Sequence, residues 1–342
     1  MKRGAAFAIA SLAFAACAGP SGGGAGLPRL GGMAARAALP LSFTPKNLYV
    51  VDRDEGAIAV YAPGTSDPLR EISAYIHMPT SLAFDSSGDL YVSNYNGSSV
   101  TVYADGSGFS RAIDQGVSYP LRVAVAKSGN VFVGNTNDTV TIYKAGTNTL
   151  LQTVTDGVDE ATTILVGPTG ELYVANLLPS PGTVTVYDSS TKKLVETIEA
   201  GISKPLALAL DSKGNLYVAN AQAGTVTVYA SNSTKVSRTI SDGVISPDAL
   251  TFDATGKLYV ANAGTSSSTV TEYAPGSSKV ARTISAGIAN PVSLAIGPSG
   301  FLNVANYSYY SGSVTEYAPN SSKVARTITN YIYGPVWLGF GP

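Results

Sequence analysis

The chain has 342 residues, of which 44% are hydrophobic and 13% are charged, and its net charge is −1. This length accommodates one large domain or two ordinary ones. The near-neutral balance lacks the basic surface on which nucleic-acid binding depends, so no nucleic acid is expected as a partner. The single cysteine excludes an internal disulfide.

The N-terminus has the pattern of an export signal. Two basic residues precede an apolar run over residues 5–16, which is too short for a permanent membrane span. The motif FAAC at 14–17 resembles a bacterial lipobox, in which the cysteine becomes lipid-modified at the mature N-terminus. We therefore predict a signal peptide at 1–16 and lipidation of Cys17, which anchors the chain to a membrane in the periplasm or at the cell surface. Ordinary secretory cleavage near Ala16 or Ala18 is the alternative.

Residues 17–42 are rich in Gly, Ala and Pro and lack the alternation of strands, which is typical of a flexible tether. The rest of the chain is repetitive. A Leu-Tyr-Val-like strand core begins at 48, 90, 131, 172, 216, 258 and 302, a spacing of 41 to 44 residues. A period of ~40–45 residues built from short β segments is typical of propeller blades.

One repeat predicts four strands, A to D, at residues 80–84, 89–93, 100–103 and 110–113. The turn DSSG at 85–88 joins A to B, with its Asp and Gly in structural roles. The first repeat lacks strand A, whereas the last eight residues match strand A and then stop. Residues 43–342 are therefore predicted to be an all-β, seven-bladed propeller closed by pairing the C-terminal strand with the N-terminal blade.

Two residue types recur within the repeat. Tyrosines recur in strand C and in most B strands and are predicted to be core. An Asn follows strand B at 94, 135, 176, 220, 262 and 306, and six copies favour a loop residue that binds the backbone over a catalytic group.

The repeat PxxLAxDxxGxLYVANxxxxTVTVY resembles the NHL repeat and the related YVTN-type repeat of bacterial envelope propellers, over about residues 44–342. The resemblance implies a propeller fold and an envelope setting. Such propellers include binders, scaffolds, lactonases and lyases, so the resemblance implies no single function.

Departures from the repeat indicate a candidate site on the rim that carries the D-to-A and B-to-C connections, here called the top face. Aromatic residues concentrate there and suit stacking on sugars or contact with a protein. The predicted partner is therefore an envelope glycan or protein. The candidate binding residues are Tyr95, Tyr119, Tyr307, Tyr309, Tyr310, Tyr331, Tyr333 and Trp337, with Arg122, Lys204 and Asn290 as polar members.

An enzymatic alternative uses carboxylates at the channel mouth. Lactonase-like propellers hold a divalent metal with Glu, Asn and Asp, and the resemblance makes Asp159, Glu160 and Asp248 candidates for a metal-assisted hydrolase. The single histidine, His77, cannot build a multi-histidine zinc site. The binding hypothesis itself requires no cofactor.

Overall fold

The structure is a computed structural model that describes residues 46–264 and 267–342. The predicted signal peptide, tether and Cys17 lie outside these residues. Within them the chain forms seven four-stranded antiparallel sheets, so the predicted seven-bladed propeller is confirmed. No helix in this part of the chain is long and apolar enough to cross a membrane.

The strands follow one another in the order B, C, D, A from the N-terminus. Blade 1 contains β1 (Asn47–Asp52), β2 (Ala57–Tyr61) and β3 (Arg70–Ile72). Blade 2 contains β4 (Pro79–Phe84), β5 (Leu90–Asn94), β6 (Ser99–Ala104) and β7 (Gly108–Ile113). Blade 3 contains β8 (Pro120–Val125), β9 (Val131–Asn135), β10 (Thr139–Tyr143) and β11 (Leu150–Val154). Blade 4 contains β12 (Ala161–Val166), β13 (Leu172–Asn176), β14 (Thr183–Tyr187) and β15 (Leu194–Ile198).

The remaining blades repeat this pattern. Blade 5 contains β16 (Pro205–Leu210), β17 (Leu216–Asn220), β18 (Thr225–Tyr229) and β19 (Val236–Ile240). Blade 6 contains β20 (Pro247–Phe252), β21 (Leu258–Asn262), β22 (Thr269–Tyr273) and β23 (Val280–Ile284). Blade 7 contains β24 (Pro291–Ile296), β25 (Leu302–Asn306), β26 (Ser313–Tyr317) and β27 (Val324–Ile328). The last strand, β28 (Pro335–Gly341), pairs with β1 and completes blade 1, which confirms the predicted closure.

The core lies between blades rather than within them. Valines and tyrosines from β5 and β6, for example, pack against valines of β8 and β9 in one cluster. Most residues of the A, B and C strands are therefore buried on both faces, because each face is covered by a neighbouring blade, whereas the outermost D strands are partly exposed. The A strands contact one another around the ring and form its inner wall.

The recurrent tyrosine that ends strand C is buried in every blade, as predicted. Each hydroxyl also donates a hydrogen bond to a carbonyl in the connection that leads into its own blade, as Tyr229 does to Ala200 at 2.5 Å. The same bond occurs at Tyr61, Tyr103, Tyr143, Tyr187, Tyr273 and Tyr317. These tyrosines therefore fasten each connection to the blade that follows it.

Candidate functional site at the top face

A repeated side-chain clamp fixes the backbone around the channel mouth. Each Asn that ends strand B accepts a hydrogen bond, through Oδ1, from a backbone N–H two residues before the inner strand of its own blade. Asn220, for example, accepts from Ser203 N at 2.9 Å and donates to Thr227 Oγ1 at 3.1 Å. The other five are Asn94, Asn135, Asn176, Asn262 and Asn306. The predicted backbone-binding role of the Asn is confirmed.

Blade 1 uses a carboxylate in the same position, which the sequence analysis missed. Asp52 accepts from the N–H groups of Tyr333 and Gly334, the latter at 3.0 Å. Alignment of Val-Val-Asp at 50–52 with Val-Ser-Asn at 92–94 is the signal that identifies it. All seven blades therefore carry the clamp.

The residue just before each inner strand is held in an uncommon conformation. These residues, here called the mouth ring, are Met78, Tyr119, Glu160, Lys204, Ser246, Asn290 and Gly334. The six that are not glycine have left-handed φ values between 44° and 54°. Such backbone geometry costs side chains on the order of 1 kcal/mol or more, and glycine would relieve it. Glycine nevertheless occurs only in blade 1, where a Cβ would clash with Asp54.

The clamp explains how this strain persists. In six blades the carbonyl of the mouth-ring residue accepts a hydrogen bond from the residue after the Asn or Asp, as Lys204 O does from Ala221 N at 3.1 Å. In blade 3 the acceptor is Ser118 O, one residue earlier. The Asn side chain holds the preceding N–H, so the segment is fixed on both sides. The ring thus holds six different side chains in one repeated backbone frame. Sequence analysis recognised the variety of these residues but not their shared conformation.

The rim tyrosines form separate groups on the top face. Tyr95 and Tyr119 meet between blades 2 and 3, with ring centroids 5.3 Å apart. Tyr309 and Tyr310 lie in the B-to-C loop of blade 7, with centroids 4.0 Å apart and hydroxyls 3.1 Å apart. Both are more than half exposed, so this second pair is the most accessible aromatic surface of the candidate set.

The loop that carries this pair is joined to blade 1. The Arg53 guanidinium lies over the Tyr307 ring at 5.0 Å and donates to its hydroxyl. Hydrogen bonding to Tyr309 raises the pKa of the Tyr310 hydroxyl, and the Asp54 carboxylate adds to that shift. Arg53 was not among the predicted site residues, because only the fold brings it beside blade 7.

Tyr331 and Tyr333 are also exposed, at 56% and 39%. Tyr331 has φ of 56° in a position that five other blades give to glycine. Tyr75 occupies the same position before blade 2 and stacks on Phe109 of the outermost strand, with centroids 4.1 Å apart. This position therefore lies toward the outer edge of the propeller, away from the mouth ring.

Trp337, predicted as a rim residue, is instead buried in the channel with 4% exposure. The Arg122 guanidinium, only 2% exposed, lies over the Trp337 ring at 4.9 Å. Arg122 belongs to blade 3 and Trp337 to blade 1, so the contact reaches across the channel past blade 2. Both side chains are therefore buried inside the propeller rather than on the rim, where the sequence analysis placed them.

Asp248 is buried in the same channel. It is the extra residue of the β-bulge at the start of β20, where Pro247 and Ala249 pair with Asn262 and Ala261. Burial raises the pKa of Asp248 to about 8, against an opposing effect of Arg122 and Lys204. Burial likewise lowers the pKa of Arg122 to about 9, opposed by Asp248. The channel thus encloses an acid whose pKa is raised and a base whose pKa is lowered, in each case because the charged form is buried.

The other carboxylate candidates occupy a different setting. Glu160 is exposed in the mouth ring, and its N–H donates to Asp138 Oδ1 at 2.8 Å. Asp159 is half-buried, and its N–H is held by Asn176. Over residues 46–264 and 267–342, no group of three or more His, Cys, Asp or Glu side chains is arranged to hold a metal. The structure therefore does not bring Asp248 together with Asp159 and Glu160 in a metal-binding group.

Among the predicted polar residues, Asn290 is hydrogen-bonded to the loop that carries the exposed tyrosines. Its Nδ2 donates to Tyr307 O at 3.2 Å, and its N–H donates to Ser268 Oγ at 3.0 Å. It also borders an open groove of about 490 Å³ between blades 6 and 7. The groove was not predicted, since it depends on how two neighbouring loops lie against each other.

Comparison with known proteins adds no family to this geometry. No protein-family model matches the chain, and no curated protein matches it. The resemblance to NHL and YVTN repeats thus stays a prediction beyond the propeller fold itself.

Proposed function

We propose that the chain is an exported, lipid-anchored propeller that binds a glycan or protein of the cell envelope through its top face. The observation that carries this proposal is the mouth ring. Six blades hold a residue other than glycine in left-handed geometry, and the six side chains all differ. Backbone strain is retained at this position in six blades, although the side chain differs in each. This combination is expected where the side chains take part in recognition.

The exposed tyrosines support the same face. Tyr309 and Tyr310 present a large aromatic area, of the kind that stacks on sugar rings or anchors a protein contact. The neighbouring Tyr307 is fixed by Arg53 and by the backbone bond from its N–H to Asn290 O at 3.0 Å. The pair therefore projects from a supported loop base, and this limits the entropy lost on binding.

Affinity capture tests the binding function. The immobilised protein is incubated with solubilised envelope proteins and, separately, with envelope polysaccharides. The double variant Tyr309→Ser, Tyr310→Ser is expected to lose most of the captured material. Tyr75→Ser, which removes a similarly exposed tyrosine at the outer edge, is the matched control and should retain it. Equal capture by all three proteins would contradict a role for the top face.

Membrane anchoring has its own test. Changing Cys17→Ser removes the only thiol that could carry the lipid. The variant is expected to move from the membrane fraction to the soluble exported fraction, because the chain then carries no acyl group to hold it at the membrane. If wild type and variant fractionate alike, the lipid anchor is wrong, although the binding function is unaffected.

The lactonase-like alternative predicts a different response. A metal that binds the folded state at a hundredfold excess over its Kd adds ~2.7 kcal/mol of stability. A rise in Tm with Ca²⁺, Mg²⁺, Mn²⁺ or Zn²⁺, lost in Glu160→Ala, would favour that alternative. The binding proposal expects an unchanged Tm.

A further inference from the structure

We infer that the groove between blades 6 and 7 is the ligand subsite and that it takes a neutral saccharide; this step rests on the binding function proposed above. The groove is lined by Ala263, Gly264, Ser267, Ser268, Ile288, Ala289 and Asn290. The first four belong to the B-to-C loop of blade 6, and the last three lead into β24 of blade 7. Its volume of about 490 Å³ is within the range of small-ligand sites.

The groove lies where two positions of the repeat carry no aromatic side chain. Between blades 2 and 3 the equivalent positions hold Tyr95 and Tyr119, whose rings meet and fill the space. Between blades 6 and 7 they hold Ala263 and Asn290. The same backbone frame therefore makes a filled surface on one side of the propeller and an open groove on the other.

The lining has the chemistry of a sugar site. The hydroxyls of Ser267 and Ser268 and the amide of Asn290 supply both donors and acceptors, which the hydroxyl groups of a sugar require. Asn290 Nδ2 donates to Tyr307 O at 3.2 Å, which holds this amide at the edge of the groove. Ile288 and the two alanines supply apolar contact for the C–H face of a sugar ring.

Charge decides between ligand classes. None of the seven described residues that line the groove is charged, so these residues offer no opposite charge to a phosphate, a uronate or a charged peptide side chain. A neutral saccharide needs no such partner. Tyr307 adjoins Asn290, and Tyr309 and Tyr310 follow it in the same loop, so a longer chain leaving the groove would meet an aromatic surface.

The test measures binding of short oligosaccharides of glucose, mannose, galactose and N-acetylglucosamine to the full-length protein by calorimetry. Ala289→Trp fills the groove and is expected to weaken binding at least ~10-fold. Ser203→Trp, at the equivalent position before blade 5, is the matched control and should keep wild-type affinity. Asn290→Gly removes the amide, suits the left-handed backbone, and is expected to weaken binding ~3- to 10-fold. A cooperative melt with a Tm no lower than that of wild type establishes that each variant is folded.

The possible results distinguish saccharide binding in the groove from the proposed binding function of the top face. Binding by wild type and Ser203→Trp, lost in Ala289→Trp, supports the groove. Equal binding by all variants overturns the groove, while top-face binding stands. No binding of neutral sugars, together with capture that depends on Tyr309 and Tyr310, overturns the saccharide and leaves the proposed function. Failure of both assays overturns both.

Discussion

At the scale of single residues, tyrosine has two different roles in this protein. Tyr229 has no exposed surface and donates to Ala200 O, whereas Tyr309 is 64% exposed. The change Tyr229→Ala is expected to cost ~3–5 kcal/mol, because it leaves a cavity between blades 5 and 4. The change Tyr309→Ala should stay within roughly ±0.5 kcal/mol. Urea unfolding of both variants measures the contrast, and equal losses would make the exposed pair a packing element.

The Asn clamp makes a second prediction. Removing the Asn220 side chain leaves the half-buried N–H of Ser203 and the buried hydroxyl of Thr227 without this partner. The expected loss is ~1–3 kcal/mol. Asn220→Asp keeps the acceptor, as Asp52 does in blade 1, and should lose less than Asn220→Ala. If the two variants unfold at the same urea concentration, the accepted hydrogen bond is not what the clamp contributes.

Asp248 makes the stability of the protein depend on pH. Its pKa is raised to about 8 in the folded state, so the folded protein retains a proton that the unfolded chain releases near its ordinary pKa of about 4. Stability therefore falls as pH rises through this window, by up to ~1.4 kcal/mol per pH unit. Asp248→Asn should have a flatter profile between about pH 5 and pH 8. Parallel profiles from urea unfolding would show that Asp248 does not titrate in this way.

The sequence predicted the roles of residues that act locally, but not those of residues that contact distant blades. The Asn was predicted as a backbone-binding residue because six copies at one position share one local role. Arg122 and Trp337 were misplaced because their contact crosses the channel between blades 3 and 1. No local pattern encodes which side chains fill the centre of a ring. The left-handed mouth ring was missed because six unlike residues give no signal of a common φ.

At the scale of strands, β28 carries the closure of the ring. Val336 and Trp337 pack between blades 1 and 2, and Leu338 packs between blades 7 and 1. Removing residues 335–342 deprives β1 of its inner partner and exposes both of these surfaces. We expect the truncated chain to lose cooperative unfolding and to aggregate. Size-exclusion chromatography and thermal melting test this, and a monomer with an unchanged Tm would contradict it.

Strand order was more predictable than loop structure. Each strand repeats a pattern seven times, so the period and the turn residues predicted seven strands of each type, with the A strand of the first repeat supplied by the C-terminus, as the structure shows. The B-to-C loops differ between blades in length and composition, and no repeat defines their shape. The groove between blades 6 and 7 depends on the structure of two neighbouring loops, which the repeat pattern does not predict.

At the scale of the whole molecule, the propeller separates stability from recognition. Clamps, tyrosines and inter-blade core repeat around the ring and hold it together. The mouth ring and the B-to-C loops depart from the repeat, and they share the top face. Substitution there changes the surface without disturbing the core, which is how one fold can serve different ligands.

The most direct test of top-face binding is hydrogen exchange of the protein alone and with the ligand retained in the capture experiment. We expect added protection in peptides covering 286–291, 305–312 and 330–335, which form the top face between blades 6, 7 and 1. Peptides over the opposite turns, such as 85–89 and 211–215, should exchange at the same rate with and without ligand. Protection confined to those opposite turns or to the outermost strands would contradict recognition by the top face.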